Sequence, residues 1–381
     1  MKYRLLHAAL LLALAVDARA DSLWPPKASF DDGSSLSLMG AAAYDFNRVD
    51  GHGYPAGAPL QDNDDWRRSE LGVRYSRPGV LDLAATYDFN SDSWLDVGAR
   101  IETRAMFGRD LGRVRIGQMK TTVGLEGNTA SRSIPFMEFS TVTQAFFENR
   151  RVGVDWTLER PQFLAVASYF FKSDIDADND GDTVGARLVW TPRKQEGDVL
   201  HLGLSASRET PDSGIARWRA KPELSLTAAR LVDSGVIEHV DNIQRQGMEA
   251  LWQRGPLQLQ GEYLRQRTRR QDGFRDYASD GWYAMGSWLL TGESRPYAGA
   301  NTSNPKPVRD SGAVELLARY SDLDLDADGI AGGREKNFTV GVNWYLTAYL
   351  KFVVDYTRVD ARRRGQQADP NLLQARAQLH F

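Results

Sequence analysis

The chain has 381 residues and no cysteine, with 47 Lys and Arg against 50 Asp and Glu, a formal net charge of -3. Length alone allows two or three soluble domains, but without cysteine there is no disulfide scaffold, thiolate metal centre or cysteine nucleophile. The acidic balance argues against a nucleic-acid partner, and a mean hydropathy of -0.46 is unlike a helical membrane protein, so any electrostatic function rests on local placement.

Met1 to Ala20 reads as a secretory signal: Lys2 and Arg4, an apolar run from Leu5 to Val16, and the small-x-small site Ala18-Arg19-Ala20. That run is too short to span a bilayer, and no other segment approaches about 18 consecutive apolar residues. Residues 21–381 are therefore expected outside the inner membrane, as one domain.

From there on, apolar and polar residues alternate in segment after segment, the period of a strand with one apolar and one polar face. Leu36, Leu38, Gly40, Ala42, Tyr44 and Phe46 share the first such face; Leu71, Val73 and Tyr75 oppose Arg68, Glu70 and Arg74 in the second. Cores are predicted near 34–46, 65–76, 80–90, 94–106, 111–119, 149–159, 162–172 and 183–192. The second half adds 198–208, 244–254, 256–268, 278–292, 311–322, 335–346, 349–360 and 371–381. The last alternates strictly, Ala375, Ala377, Leu379 and Phe381 against Gln374, Arg376, Gln378 and His380. Sixteen strands is an even number, as a closed antiparallel bacterial barrel requires, and half of each strand can face an aqueous lumen. A terminal Phe is also the usual end of such barrels. The predicted class is all-β, a 16-stranded antiparallel transmembrane β-barrel with inward-folded loops.

Connections alternate in length. Ser76 to Gly79, Arg160-Pro161 and Gly255-Pro256 are short and carry turn residues. Long ones are expected at 47–64, 120–148, 209–243 and 323–334, on the outer side; 293–310 is long for an inner turn. Tyr44, Phe46, Tyr75, Tyr87, Phe89, Trp190, Tyr320, Trp344 and Tyr345 sit at strand ends, as an interfacial girdle would place them.

The run Arg115-Ile116-Gly117-Gln118-Met119-Lys120, then Thr121-Thr122-Val123-Gly124-Leu125-Glu126, leads through Phe136-Met137-Glu138 to Asn149-Arg150-Arg151-Val152-Gly153. Here the chain resembles the phosphate-selective porins O and P, which carry a Gly-Gln-Phe-Lys-type strand end, a Phe-Gly-Leu-Glu turn and an Arg-Arg-x-Gly return. Gly281-Trp282-Tyr283, Leu290-Thr291-Gly292-Glu293, Gly312 to Leu316, Arg319-Tyr320-Ser321 and Gly341 to Tyr345 extend the resemblance along the chain.

The resemblance implies a homotrimer of barrels in the outer membrane, each with its own pore. Anion choice in the family rests on a basic ladder and a constriction Lys. By motif the constriction residue is Lys120, the paired arginines are Arg67 and Arg68, and the ladder is Arg217, Arg219 and Lys221 with Arg230. Spacing agrees for the ladder, because i, i+2 and i+4 share one side of an extended segment; the bland alternative is a solvated basic loop. Met119 replaces the family's Phe, Thr122-Val123 replaces a Pro-Phe-type pair, and Glu70 offers a carboxylate to offset the arginine pair.

Asp324-x-Asp326-x-Asp328-Gly329 with Glu335 fits a calcium-loop pattern, but it lies between strands rather than helices. Asp176-x-Asp178-x-Asp180-Gly181 matches only the first half and reads as a solvated turn. His7, His52, His201, His239 and His380 are scattered, and no catalytic motif is present, so neither an enzyme nor a cofactor is implied. The expected function is passive diffusion of anions, phosphate or polyphosphate foremost, with outer-membrane lipid and lipopolysaccharide around the barrel. The alternatives are a general or carbon-source-specific porin, or a surface barrel acting as adhesin or receptor.

Overall fold

Each of the sixteen alternating segments forms a strand in the computed structural model, which describes residues 24–54, 58–177, 180–327 and 329–381. The signal segment lies outside the described residues. The barrel strands are β1 (Ser35–Asp50), β2 (Asn63–Arg77), β3 (Leu81–Asp88), β4 (Ser93–Glu102), β5 (Arg113–Lys120), β6 (Arg150–Glu159), β7 (Phe163–Lys172) and β8 (Asp182–Gln195). They continue as β9 (Asp198–Thr210), β10 (Val240–Arg254), β11 (Leu257–Arg270), β12 (Tyr277–Leu289), β13 (Ala313–Ala327), β14 (Ile330–Tyr345), β15 (Leu350–Arg363) and β16 (Asn371–His380).

Each strand runs antiparallel to the next, and β16 returns to β1 with a register from Ala41↔His380 to Asp50↔Asn371, which closes the barrel. Phe381 locks this seam. Its N–H donates to the Gly40 carbonyl at 3.0 Å and its carbonyl accepts from the Gly40 N–H at 3.1 Å. A Cβ on Gly40 would meet the Phe381 ring at 2.7 Å, so only glycine leaves room for it.

Period-2 alternation sorts the wall into two faces. On β9, Leu202 and Leu204 are exposed outward while His201, Ser205 and Ser207 are buried inward. Polar residues are buried because the lumen is filled by three segments: 121–149 (L3) and 211–239 (L5) from the long-loop end, and 290–312 from the short-turn end. The inner turn that looked too long therefore has a place to go. Among the described residues two helices, α1 (Thr103–Phe107) and α2 (Thr141–Phe146), are each under two turns and belong to connections.

Two expectations fail. The outer loop at 323–334 is a hairpin, with β13 and β14 pairing from Leu323↔Glu335 outward to Ala327↔Ile330. The alternation simply continues: Leu323 and Leu325 are buried in an apolar cluster with Trp218 and Val240. Glu335 is buried in the lumen beside Asn337, so the calcium-loop geometry does not form; Asp328 lies outside the described residues, as do Asp178 and Asn179 of the other acidic run. Tyr345 is not a girdle residue either, since it faces the lumen and donates to Glu315 at 2.8 Å.

Candidate functional site

L3 is built to hold one position. Its first turn needs a left-handed residue at Gly124 (φ 84), where a Cβ would meet the Glu262 carboxylate at 2.9 Å. That carboxylate on β11 accepts from the N–H groups of Leu125 (2.7 Å) and Glu126 (2.5 Å), and Ser205 accepts from Gly124 N–H at 3.2 Å. On the far side Asp355 accepts from Met137 N–H at 2.7 Å. Ser140 caps α2 by accepting from Thr143 N–H.

Three buried arginines grip L3 carbonyls. Arg295 donates to Ser133, Arg376 to Met137 and Arg319 to Glu138, at 3.2, 3.0 and 3.0 Å. Each is also matched by carboxylate: Arg295 by Glu315 at 2.7 Å, Arg376 by Asp45 at 2.6 Å, and Arg319 by Glu126 at 3.1 Å and Glu223 at 2.6 Å. Because Glu126 belongs to L3 and Glu223 to L5, Arg319 on β13 ties both loops to the wall. Burial pushes the Glu126 carboxyl up against the pull of Arg319.

Between L3 and the β2–β8 wall a water-accessible cavity remains. Arg74, Arg100, Arg113, Arg115, Lys120, Arg132, Arg150 and Arg187 line it, against the carboxylates of Glu70, Asp82 and Asp96. Most wall arginines are paired: Arg74 with Asp82 at 3.1 Å, Arg113 with Glu159 at 3.2 Å, Arg150 with Asp96 at 2.9 Å, and Arg115 with Asp155. Lys120 and Arg132 differ. Lys120 Nζ donates to the carbonyls of Gly127 (2.8 Å) and Thr129 (2.6 Å) and lies near the rings of Phe139 and Phe147 at 5.7 and 5.9 Å. An ammonium has three donors, so one remains toward the cavity. Among the described residues neither Lys120 nor the Arg132 guanidinium has a carboxylate at ion-pair distance. Arg150, Arg68 and Arg132 act electrostatically on Lys120, opposed by Asp96.

The other expected residues fall into two groups. A bulge between Ala43 and Tyr44 leaves Arg67 unopposed in the β1–β2 register. Arg67 is thereby brought to L3, where it binds Glu138 through Nε at 2.9 Å and Nη2 at 3.4 Å. Burial would raise the Glu138 carboxyl, but Arg67, Arg376 and Lys221 outweigh it and hold it at about 2. Arg68 donates to Glu70 at 3.0 Å, the pairing foreseen for that carboxylate.

In L5, Ala216, Trp218 and Ala220 are buried while Arg217 and Arg219 between them are exposed, so the loop turns one apolar side to the wall and one basic side to open space. Trp218 Nε1 donates to Thr268 at 3.1 Å and the Lys221 N–H donates to Gln144 of α2 at 3.2 Å, which fixes that orientation. Arg217 is bidentate on Asp233. Arg219 and Arg217 act on Arg230 against Asp233, and Arg67 and Arg230 act on Lys221 against Glu138. Burial, reinforced by Arg67 and Arg230 against Glu138, lowers the Lys221 pKa.

Arg132 and the wall set Arg74, Arg100, Arg113 and Arg115 were not among the expected residues. For the wall set the signal was available, because each occupies the polar parity of its strand; Arg132 sits in irregular backbone, where parity says nothing.

Residues 37–381 match the family model described as phosphate-selective porin O and P. Porin O of Pseudomonas aeruginosa is 26% identical over 375 residues, covering 87% of this chain and 84% of the relative. Among solved structures, the outer-membrane protein OmpT of Vibrio cholerae superposes with a TM-score of 0.61 at 11% identity, covering 93% of this chain and 99% of that one. An anion-selective porin from Comamonas acidovorans gives 0.56 at 14% identity, covering 91% and 100%. With the closed barrel and its lined cavity, these matches establish an outer-membrane channel: the chain belongs to the phosphate-selective porin O and P family.

Proposed function

We propose that the channel prefers anions and passes phosphate or polyphosphate by passive diffusion. The observation that carries this reading is the cavity lining, eight basic side chains against three carboxylates in a chain whose net charge is negative. Arg217 and Arg219 collect anions at the long-loop mouth, Arg230 and Lys221 pass them inward, and Lys120 with Arg132 forms the narrow positive zone. Arg67 and Arg68, each held by a carboxylate, shape that zone and add little net field. A row of moderate sites lets an ion enter and leave. The protomer acts within a homotrimer. Strands β3–β7 have 8–10 residues, close to the shortest that cross the hydrocarbon alone, and this low sector is the face we assign to neighbouring protomers.

A second reading, a general anion porin without phosphate preference, is favoured by the pairing of Arg74, Arg113, Arg115 and Arg150 with carboxylates, which reduces the field at most wall positions. Planar-bilayer measurements decide between them. Reversal potentials in a chloride gradient test anion preference, and titrating phosphate and pyrophosphate against chloride current tests the oxyanion. A reversal potential of cation sign overturns both readings, whereas anion sign without block by either oxyanion leaves the general porin.

A further inference from the structure

Outward-facing residues of the tall side of the barrel change character at one level. On β11 they run Leu257, Leu259, Gly261 and Tyr263, then Arg265, Arg267 and Arg269, with all three arginines exposed. Tyr263 lies between Met248 and Trp282 on the flanking strands, so the aromatic step is shared across strands. An aromatic band marks the bilayer–water interface and the long-loop end of a bacterial barrel is the outer one, which sets these arginines at the level of outer-leaflet headgroups.

On β9 the outward run Leu202, Leu204, Ala206 ends in exposed Arg208. Arg208 pairs with Gln244 and Gln244 pairs with Arg267, so the two arginines flank one glutamine about 10 Å apart at ordinary strand spacing. Arg267 and Arg269 share Asp276, at 2.8 and 3.9 Å. Arg208 and Arg265 have no carboxylate at ion-pair distance among the described residues. The matching upper outward positions of β2, β3, β4, β7 and β8 are Asp64, Tyr87, Trp94, Tyr169 and Asp182, none of them basic, whereas β1, β14 and β15 carry Arg48, Arg334 with Lys336, and Arg358 there. Arg48 faces Asp62, and Arg334 and Lys336 face Asp322, so what sets β9 and β11 apart is four arginines together, two of them unmatched.

We propose that Arg208, Arg265, Arg267 and Arg269 form a binding site for the phosphorylated head of an outer-leaflet glycolipid, the lipid A of lipopolysaccharide. Guanidinium forks bind phosphate oxygens bidentately, and Gln244 and Gln246 offer amides to sugar hydroxyls. The acyl chains then lie over exposed Leu204, Met248, Leu257 and Leu259 directly below. The proposal uses only the barrel's place in the outer membrane and none of its ion preference, so either can fail alone.

The test measures binding of bisphosphorylated and dephosphorylated lipid A to the purified, folded porin by thermophoresis in EDTA. The parent is expected to bind the bisphosphorylated form at least tenfold more tightly. R208Q/R265Q/R267Q should lose that difference while chloride conductance and reversal potential stay at parent values. Equal binding of the two lipids by the parent overturns the proposal without any variant, as does parent-like discrimination in the triple variant. Displacement of lipid A by millimolar inorganic phosphate also overturns it, since the site would then serve free anions.

Discussion

Arg319 and Arg376, on the β13–β16 side of the lumen, are buried and matched by carboxylates, whereas Lys120 and Arg132, across L3, have carbonyls or no ion-pair partner among the described residues. A charge taken out of water is costly unless paired and hydrogen-bonded. On the first side that cost is offset by Glu126, Glu223 and Asp45, and what remains is geometry: a loop held at the carbonyls of Met137 and Glu138. On the second side the charge is not cancelled locally, so its field is available to an ion. The same residue type builds the pore in one place and charges it in another, and pairing distinguishes the two.

Removing a buried clamp should have the largest effect. Arg319→Met leaves Glu126 and Glu223 without their cation and frees the Glu138 carbonyl; breaking such a pair costs about 3–5 kcal/mol. The folded, heat-modifiable fraction should fall, and the surviving channels should show noisier current as L3 loosens. Parent-like unfolding in urea and a quiet channel would mean that Arg319 is no clamp.

Reversing the unmatched charge comes next. Lys120→Glu should abolish or invert anion preference while assembly proceeds, because the contacts of L3 with Glu262, Asp355 and Arg319 of the wall persist when those of Lys120 with Gly127, Thr129 and the Phe139 and Phe147 rings are lost. The readout is the sign of the reversal potential in a chloride gradient. A value unchanged from the parent removes Lys120 from the constriction.

Neutralising the outer ladder should act more on phosphate than on chloride. In Arg217→Gln/Arg219→Gln/Lys221→Gln, the phosphate concentration that halves chloride current should rise several-fold at low salt, since phosphate carries more charge and more acceptor oxygens. Screening over about 10 Å at 0.1 M should shrink the difference as salt is raised. Equal block in variant and parent at low salt would leave the L5 face as solvated surface and favour the general porin.

The sequence foretold all sixteen strands because one signal, period-2 alternation, governs a wall with water on one face and lipid on the other. Expectation failed where that signal was not followed: 323–334 looked like a loop, although Leu323 and Leu325 keep the alternation through it, and Tyr345 was placed in the girdle, although it faces the lumen. Lys120 and the basic side of L5 were legible, one from a motif at a strand end and the other from i, i+2 spacing. Which charges are cancelled was legible for Arg68 and Glu70, two residues apart on one strand, and not for pairs that meet across loops. Arg67 meets Glu138 and Arg319 meets Glu223 across 71 and 96 residues, contacts set by how L3 and L5 fold back into the barrel. Arg132 escaped for the same reason.

The smallest effect concerns Lys221, the innermost ladder residue. Burial, with Arg67 and Arg230 beside it and Glu138 opposing them, lowers its pKa below the usual 10.5. A lowered amine pKa means that the charge is lost, as pH rises, earlier than on a free lysine. Sulfate is a suitable probe because its own charge does not change over that range. Block of chloride current by sulfate should therefore weaken in the parent as pH is raised from 7 toward 10. Lys221→Arg should remove that part of the decline, since a guanidinium stays protonated throughout. Two unit charges 4 Å apart in water interact by about 1 kcal/mol and salt reduces this, so the expected change is about two- to threefold. A parent whose sulfate block is flat with pH would place Lys221 off the anion path, and an equal decline in Lys221→Arg would assign the titration to another group.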